Sequence, residues 1–339
     1  MSKRRKIQSM DPDLISVVVV NWNGKEFLSE CLDSLRHQVY QPLAVKVVDN
    51  GSTDGSVDFV SRQYPEVEIV ALSENLGFSL ANNIALETVY AEYVALLNND
   101  AVAHPLWLKC LVEALREHPE AGFAASKMLF YDAPTTIDRA GDAYTRAGTG
   151  SLRGRGEQAS KYNEMEWIFG ACAGASLYRR RMLDDIGLFD EDFFLLYEDV
   201  DLSFRAQLKG YKCLYVPEAI VHHKASSSIV HDSEVSVYFS HRNLEWVYIQ
   251  NMPAGLILRT ILPHIVYDVG ALLFFSTRGR LRDFLRAKLD ALKGLKKALR
   301  KRRHVLATRR VDNTYLWNLL DQESFRSRLS RRVRGKQVE

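Results

Sequence analysis

Short apolar runs rich in β-branched residues recur through the first 130 positions: ISVVVV at 15–20, LAVKVVD at 43–49, VEIVAL at 67–72, YVALLN at 93–98 and GFAASKML at 122–129. They are apolar at odd and even positions alike, which predicts strands of a parallel sheet covered on both faces. Between them lie segments of helical period with start signals. One comes after Asn23–Gly24, one after Asp54–Gly55, one runs from Gly77 to about Val89, and one is entered at Pro105 and ends at Glu117. Repeated β-α of this kind predicts an α/β fold, a Rossmann-like, mostly parallel sheet flanked by helices.

In such sheets ligands collect beyond the carboxyl ends of the strands. The first four runs lead into NWNG, DNGSTDGS, SENLGF and NNDA, each polar, rich in Asn and Asp, and three of them bearing Gly. One such loop is ordinary turn chemistry; four at the same sheet edge point to a site. Positions 132–166 (RAGTGSLRGRGEQ among them) are rich in Gly, Arg and polar residues, and are expected to form a long mobile loop, either a lid or plain disorder. Regular structure is expected to resume at WIFGACAGASLYRRR, with a helix of DLSFRAQLKG period stopped by Gly210 and a strand at YKCLYVP.

The stretch LLYEDVDLSF is the least comfortable in the chain. An apolar run, FFLLY, ends in Glu198, Asp199 and Asp201. Burying one carboxylate without a partner costs several kcal/mol, roughly, so three at the edge of a core need a reason. Further on, the segment at 254–276 is about the length of a membrane span, but Arg259, Pro263, His264 and Asp268 interrupt it. Amphipathic helices lying on or dipping into a membrane interface are expected there. The next segment, RGRLRDFLRAKLDALKGLKKALRKRR, repeats Leu at helical spacing between Lys and Arg, the composition of a membrane-surface helix.

Composition sharpens this division. With 339 residues, 47% hydrophobic and 26% charged, the chain is long enough to bury a full core, and disorder is excluded as its bulk state. The net charge of +3 conceals an asymmetry: 20 of the 45 Lys and Arg, but only 6 of the 42 Asp and Glu, lie at 276–339. An acidic body therefore carries a basic tail, which either meets an anionic surface or forms a solvated helical face. The chain divides into three regions: a basic N-terminal tail at 1–13, an α/β domain at 14–245 and a helical, basic, membrane-associating region at 246–339. Cys31, Cys110, Cys172 and Cys213 are dispersed in apolar contexts and are expected to be free thiols of a reducing compartment. The N-terminus is basic but no apolar signal core comes after it, so the expected location is cytoplasmic, at the inner face of the cell membrane.

The edge loops carry no GxGxxG, GxxxxGK[ST] or GxSxG. They offer acceptors on small backbone: Asn21, Asn23, Asp49, Asn98, Asn99 and Asp100. A carboxylate beyond an apolar strand can accept from a pyrimidine imide or from ribose hydroxyls, and Asp100 is placed to bind a hard divalent cation that neutralises a diphosphate.

Taken together, VVVNWNG, VVDNGSTDGS, ENLGFSLANN, LLNNDA, GACAGASLYRR, GLFDEDFFLLYEDVDLSFRAQLKGY and VPEAIVHHKASSS resemble, in order and spacing, the family 2 glycosyltransferases of the GT-A fold. Within these the chain is most similar to the rhamnosyltransferase-type enzymes of bacterial cell-surface polysaccharide, over about 15–243. The resemblance implies an inverting transfer from a nucleotide-diphosphate sugar, dTDP-rhamnose or a UDP-hexose, to a polyprenyl-linked saccharide. It implies that Asn21, Asn23 and Asp49 hold the nucleotide and that Asn75 and Gly77 line the donor pocket. The DxD element corresponds to Asn98, Asn99 and Asp100, with Asp100 a ligand of Mg²⁺ or Mn²⁺. Asn98 replaces the first Asp of that element, and an amide is a poor metal ligand. The ED motif makes Asp199 the catalytic base with Glu198 on the acceptor, and the HKASSS spacing selects His223 over His222 for the metal or diphosphate.

Other residues carry two readings each. Asp201 either caps a helix or pairs with Arg205. Arg179, Arg180 and Arg181 either steer a diphosphate or form an exposed basic turn. Trp167 and Phe169 either stack on an acceptor sugar or pack in the core. Two other functions compete. A nucleic-acid-binding protein acting through its basic tail is disfavoured by leucines at helical spacing and sparse aromatics there, so no nucleic acid is expected. A nucleotidyltransferase would bring a Gly-rich basic loop near the first strand, where only Gly24 and Lys25 are found.

Overall fold

The computed structural model describes residues 11–225 and 233–321; most of the tail expected at 1–13, the serines after Ala225, and 322–339 lie outside the described residues. The chain opens with β1 (Asp11–Asn21), α1 (Lys25–Arg36), β2 (Leu43–Asp49), α2 (Ser56–Gln63), β3 (Glu68–Ala71), α3 (Gly77–Leu86) and β4 (Ala91–Leu97), the alternation expected from the apolar runs. The central strands are covered on both sides: Ile15, Val17 and Val19 of β1 enter one apolar cluster and Val18 the other. Alternate residues of a strand face opposite ways, so a run apolar at every position needs helices on both faces. On one face α1 supplies Leu28, Cys31, Leu32 and Leu35, spaced by three and four.

Next come β5 (Ala101–Ala103), α4 (Trp107–Glu117) and β6 (Ala121–Phe130), then β7 (Ile137–Arg139), β8 (Asp142–Tyr144), β9 (Gly150–Leu152), β10 (Glu166–Ile168), β11 (Ala175–Arg179), α5 (Arg180–Ile186), α6 (Glu198–Leu208) and β12 (Lys212–His223). The main sheet has the order β10-β12-β6-β11-β4-β1-β2-β3, with β5 on β12 and β7 on β6. β11 runs antiparallel between β4 and β6, so the sheet is mixed but mostly parallel, and β4, β6 and β12 end at one edge.

The segment 132–166 is not the mobile loop expected from its composition. It forms three short strands, β7, β8 and β9, a turn of 3-10 helix at Ala159–Lys161, and the start of β10. Its arginines order it: Arg153 pairs with Glu166 at 2.7 Å and lies over the rings of Tyr162 and Tyr215, and Arg155 is ion-paired to the buried Asp138. Polar composition signalled solvent, whereas these charges have partners inside the fold.

The C-terminal region comprises α7 (Glu234–Asn251), α8 (Ala254–Thr277), α9 (Leu281–Lys293), α10 (Leu295–Ala307) and α11 (Asn313–Leu319). The boundary expected at 245/246 falls inside α7, whose Val247 and Tyr248 share one apolar cluster with Tyr144, Phe193 and Phe204 of the sheet domain. Positions 254–277 form one continuous helix through Pro263, long and apolar enough by length and composition to cross a membrane. One side of α8 is nonetheless occupied by protein. His264 stacks on Tyr248 at 4.1 Å, its Nδ1 lies 2.9 Å from the Ala147 carbonyl and its Nε2 3.2 Å from Glu245. Glu245, His264 and Asp268 gather their ligand atoms within 4.8 Å. The Lys288 ammonium is the cation there, ion-paired to Glu245 and 2.6 Å from Asp268.

Glu245 is held far below its ordinary carboxylate range. Burial opposes ionisation, but the His264 hydrogen bond and the Lys288 charge outweigh it. A carboxylate shifted down stabilises the fold above its ordinary range and loses that contribution as pH falls through the folded value. Glu245→Gln is therefore expected to cost about 2 kcal/mol at neutral pH, with the gap to wild type closing as pH drops below about 4.5. Thermal unfolding across pH measures this; a gap constant from neutral to acid pH would contradict it.

Candidate active site

The polar loops after β1, β2 and β3 are laced to one another. Asn21 Nδ2 donates to Asp49 Oδ2 at 2.9 Å, Ser52 N donates to Asp49 Oδ1 at 2.9 Å, and the Ser52 hydroxyl accepts from Asn23 N at 2.8 Å. Asn23 Oδ1 accepts from Thr53 N at 2.8 Å. Asn75 Oδ1 accepts from Asn50 Nδ2 and from Gly77 N, both at 2.9 Å, while Asn50 Oδ1 accepts from Leu76 N at 2.9 Å. Asn99 joins the group from the end of β4, donating to Asn21 Oδ1 at 2.8 Å. The abundance of Asn and Asp at this edge thus has a structural component: amides and carboxylates satisfy loop backbone that no ladder reaches. Asn21 and Asp49, adjacent in register and almost wholly buried, form the floor of the group.

Asp100, one position past Asn99, meets the end of β12. His223 Nε2 lies 3.1 Å from Asp100 Oδ1, its Nδ1 lies 2.8 Å from Asp138 Oδ2, and the Asn98 amide nitrogen is 3.3 Å from Nε2. Of the two histidines, His223 enters this cluster. The imidazole is pushed up to about 9: burial, which alone would lower it, is outweighed by the hydrogen bonds to Asp100 and Asp138. Asp138 is held below its usual range, burial being overcome by His223 and by the Arg155 and Arg139 charges.

The carboxylates of LLYEDVDLSF lie on the other side of Asp138. Its neighbour Arg139 has Nη1 3.3 Å from Asp142 Oδ1 and 3.7 Å from Asp199 Oδ2. A second route converges on the same place, because Asn98 N donates to the Gly174 carbonyl at 2.9 Å while Ala173 N lies 3.4 Å from Asp199 Oδ2. The end of β4 and the turn at 198–199 are therefore neighbours, linked through 138–139 and through 173–174. Glu198 and Asp142 are both buried, and Glu198 Oε2, Asp142 Oδ2 and Arg139 Nε have no hydrogen-bond partner among the described residues. Burial raises Glu198, and the Asp199 charge raises it further. Burial likewise raises Asp142, against the pull of Arg139. Asp201 belongs elsewhere: it pairs with Arg205 at 2.7 Å and accepts from Asn251 at 2.7 Å.

Two pairs of alternative readings are decided here. Arg179 ends β11, the strand that runs backwards, so it lies at the opposite sheet edge, where it donates to the Ala121 carbonyl and to Tyr93. Arg180 donates to the carbonyls of Leu86 and Val89 and Arg181 to that of Pro119, so none of the three meets the polar loops; Arg179 is buried rather than an exposed turn. Phe169 is core, packed on Tyr144 and Phe204. Trp167 pairs with Leu214 and packs against His118 and Lys212, away from the carboxylates. Sequence pattern alone missed Asp138, Arg139 and Asp142, which lie in the segment expected to be a loop; the signal was IDRAGD, three charges in an otherwise apolar, Gly-turned context.

Residues 16–187 match the model of glycosyl transferase family 2. This chain belongs to that family. It is 27% identical to the N-acetylglucosaminyl-diphospho-decaprenol L-rhamnosyltransferase of Mycobacterium tuberculosis, over 69% of its own length and 86% of the relative. It is also 27% identical to the O-antigen biosynthesis protein RfbC of Myxococcus xanthus, over 63% of its own length but 17% of that protein. Its fold is similar to the mannosyltransferase PcManGT of Pyrobaculum calidifontis, solved with GDP-Man and Mn²⁺, at a TM-score of 0.53 and 17% identity over 90% of this chain and 89% of the other. GalNAc-T7, solved with UDP, GalNAc and Mn²⁺, gives 0.56 and 15% over 71% and 50%. The fold is GT-A-like, and the chain is a nucleotide-sugar-dependent glycosyltransferase.

The residues present fit a divalent cation. Ligand atoms adjacent on an octahedral ion at about 2.1 Å stand roughly 3.0 Å apart; Asp100 Oδ1 and His223 Nε2 stand 3.1 Å apart, so an ion would replace the Nε2 proton of the hydrogen bond between them. Close approach also defines the site's far wall, since Gly77 has φ +84° and a Cβ there would lie 2.5 Å from the Phe194 ring. Gly77→Ala is expected to destabilise the protein by about 2–4 kcal/mol, combining left-handed strain with overpacking. Denaturant unfolding tests it, and an unchanged midpoint would refute the close packing of α3 on the 194 turn.

Proposed function

We propose that this glycosyltransferase, with Asp199 as base, moves the sugar of dTDP-rhamnose or a UDP-hexose onto a polyprenyl-linked saccharide in cell-surface polysaccharide synthesis, inverting the anomeric centre and releasing the nucleoside diphosphate. The observation that carries the reading is the adjacency of two chemistries across Asp138–Arg139, a cation-binding pair on one side and a carboxylate beside a guanidinium on the other. Asp199 takes the proton of the acceptor hydroxyl as its oxygen attacks the anomeric carbon. Arg139 stands 3.7 Å from the Asp199 carboxylate, and burial favours the protonated Glu198, which can then hydrogen-bond the acceptor without competing as a base. Asn21, Asn23, Asp49, Asn75, Gly77, Asn98 and Asn99 form the nucleotide side. Asp100 and His223 would hold Mg²⁺ or Mn²⁺, which supplies positive charge to the departing diphosphate.

The lipid-linked acceptor is supported by the decaprenol substrate named for the mycobacterial relative and by the surface of the C-terminal helices. Along α8, Leu258, Leu262, Ile265, Val269 and Leu273 form an exposed stripe at helical spacing, and Leu281, Leu285, Leu289 and Leu292 continue it on α9. Exposed Arg282, Arg286 and Lys293 border it. Because the opposite side of α8 is engaged with α7 and α9, the helix lies on the membrane rather than through it. On α10, Lys297 and Lys301 are engaged with Asp190 and Asp192, and Arg302 with the carbonyls of Ile249 and Met252, which removes them from a nucleic-acid surface.

A donor screen reading released nucleotide diphosphate identifies the sugar. With that donor, Asp199→Asn is expected to lower kcat by about 10³-fold or more with donor binding nearly intact, while Asp100→Ala weakens Mn²⁺-dependent donor binding in calorimetry. Substantial transfer by Asp199→Asn would remove the base assignment. For the surface, the protein should float with vesicles containing anionic phospholipid, and Leu262→Lys combined with Ile265→Lys should reduce that by about tenfold or more. Equal flotation of both proteins would place the contact elsewhere.

A further inference from the structure

The turn that delivers Glu198 and Asp199 is strained, and its own backbone bonds, from Phe193 N, Phe194 N and Leu195 N to the carbonyls of Asp190, Glu191 and Phe193, are joined by a set from outside it. Phe194, Leu196 and Tyr197 all have positive φ, at 63°, 66° and 71°, and none is glycine. Non-glycine residues persist in such conformations only where their surroundings over-determine them, and such outliers cluster at working sites. Here the surroundings are identifiable, since the carbonyls of residues 192 to 196 all accept hydrogen bonds from outside the turn. Arg242 Nη2 donates to the carbonyls of Asp192 and Phe193 at 2.9 Å each. Asn243 Nδ2 reaches those of Phe193, Leu195 and Leu196 at 3.0, 2.8 and 2.7 Å. The carbonyl of Phe194 accepts from Phe78 N of α3 at 2.6 Å. Arg242 Nε donates to Asn243 Oδ1 at 2.9 Å, which fixes the amide with its NH₂ toward the turn.

We infer that Asn243 is a positioning residue for the transfer, oriented by Arg242, and that the C-terminal helix α7 thereby sets the placement of the Glu198–Asp199 pair. The inference rests on the reading of Asp199 as the base. Its physical content is that the turn's geometry is stored in carbonyl hydrogen bonds to one fully buried side chain. Removing the donors lets the peptide units of 193–196 rotate out of their strained states, and the carboxylates two and three residues later move with them. The floor formed by Asn21, Asp49 and Ser52 stays in place, because its loop-to-loop bonds involve neither α7 nor the 193–196 turn.

The test compares Asn243→Ala and Asn243→Asp, both of which remove the donor and the second of which also repels the carbonyls it served, with Glu245→Gln, which destabilises the same helix two residues on without touching the turn. Turnover is read as nucleotide diphosphate released from whichever of dTDP-rhamnose and UDP-glucose the protein uses, at a temperature where every variant is folded. Both Asn243 variants are expected to lose about 10- to 100-fold in kcat with donor KM within about twofold, the cost of a misplacement near 1 Å. Amide hydrogen exchange across 193–199 should accelerate in them, while Glu245→Gln keeps wild-type kcat and wild-type exchange in that stretch. Unchanged exchange in the turn, or a kcat loss no larger than that of Glu245→Gln, overturns the inference. Failure of the underlying reading is separate, since it would appear as retained turnover in Asp199→Asn.

Discussion

The organising constraint in this protein is the crowding of acidic side chains around two positive charges. Asp100, Asp138, Asp142, Glu198 and Asp199 are all less than a tenth exposed, and His223 and Arg139 are the cations between them. Unpaired, such a group would be prohibitively costly to bury. It is tolerated because His223 bridges Asp100 and Asp138, Arg139 bridges Asp142 and Asp199, and burial shifts Glu198 and Asp142 toward their neutral forms. The ordering of 132–166 stems from the same requirement, since Asp138, Arg139 and Asp142 come from it and Arg155 completes the charge balance on Asp138. A mobile segment would leave the carboxylates of α6 and β12's histidine without their counter-charges.

That arrangement places two kinds of chemistry side by side with a division of labour. On one side neutral amides around one buried carboxylate, Asp49, lace the loops of the first three strands into a rigid floor. On the other lie the ionisable groups proposed as base and cation ligands. The separation has a physical rationale: a floor built from amides keeps its shape whatever the charge of the nucleotide, while the reacting side must respond to charge as it develops. Asn98, where the family pattern has Asp, extends the neutral side up to His223 and leaves Asp100 as the carboxylate of that pair.

The helices after β12 are integrated with this centre rather than appended to it. α7 reaches the backbone before Glu198, α10 neutralises Asp190 and Asp192 at the start of the same turn, and α8 buries Leu256, Thr260 and His264 against the sheet domain while presenting leucines outward. The helix that is most apolar on its outer side is thus one helix away from the element that positions the carboxylates. An enzyme whose acceptor sits in a lipid surface gains from such proximity, because docking and orientation are then carried by one packed unit.

Much of the fold was legible in the chain because its signals are local. Runs apolar at every position demanded covered strands, helical period with Gly and Asn start signals marked the helices between them, and both are properties of neighbours along the sequence. The loops at one sheet edge were legible for the same reason. The readings of Arg179, Arg180, Arg181 and Trp167 stayed open because their meaning depends on which way β11 runs and what β10 lies against, and direction is set by pairing across the sheet. Asp138, Arg139 and Asp142 were missed because polar composition does not distinguish water from a buried partner. The sequence by itself determined the elements, their order and the residue types at the edge. Only the tertiary structure decided which charges face one another, because electrostatic partners 60 residues or more apart in the chain, such as Arg139 and Asp199, meet only when the sheet closes.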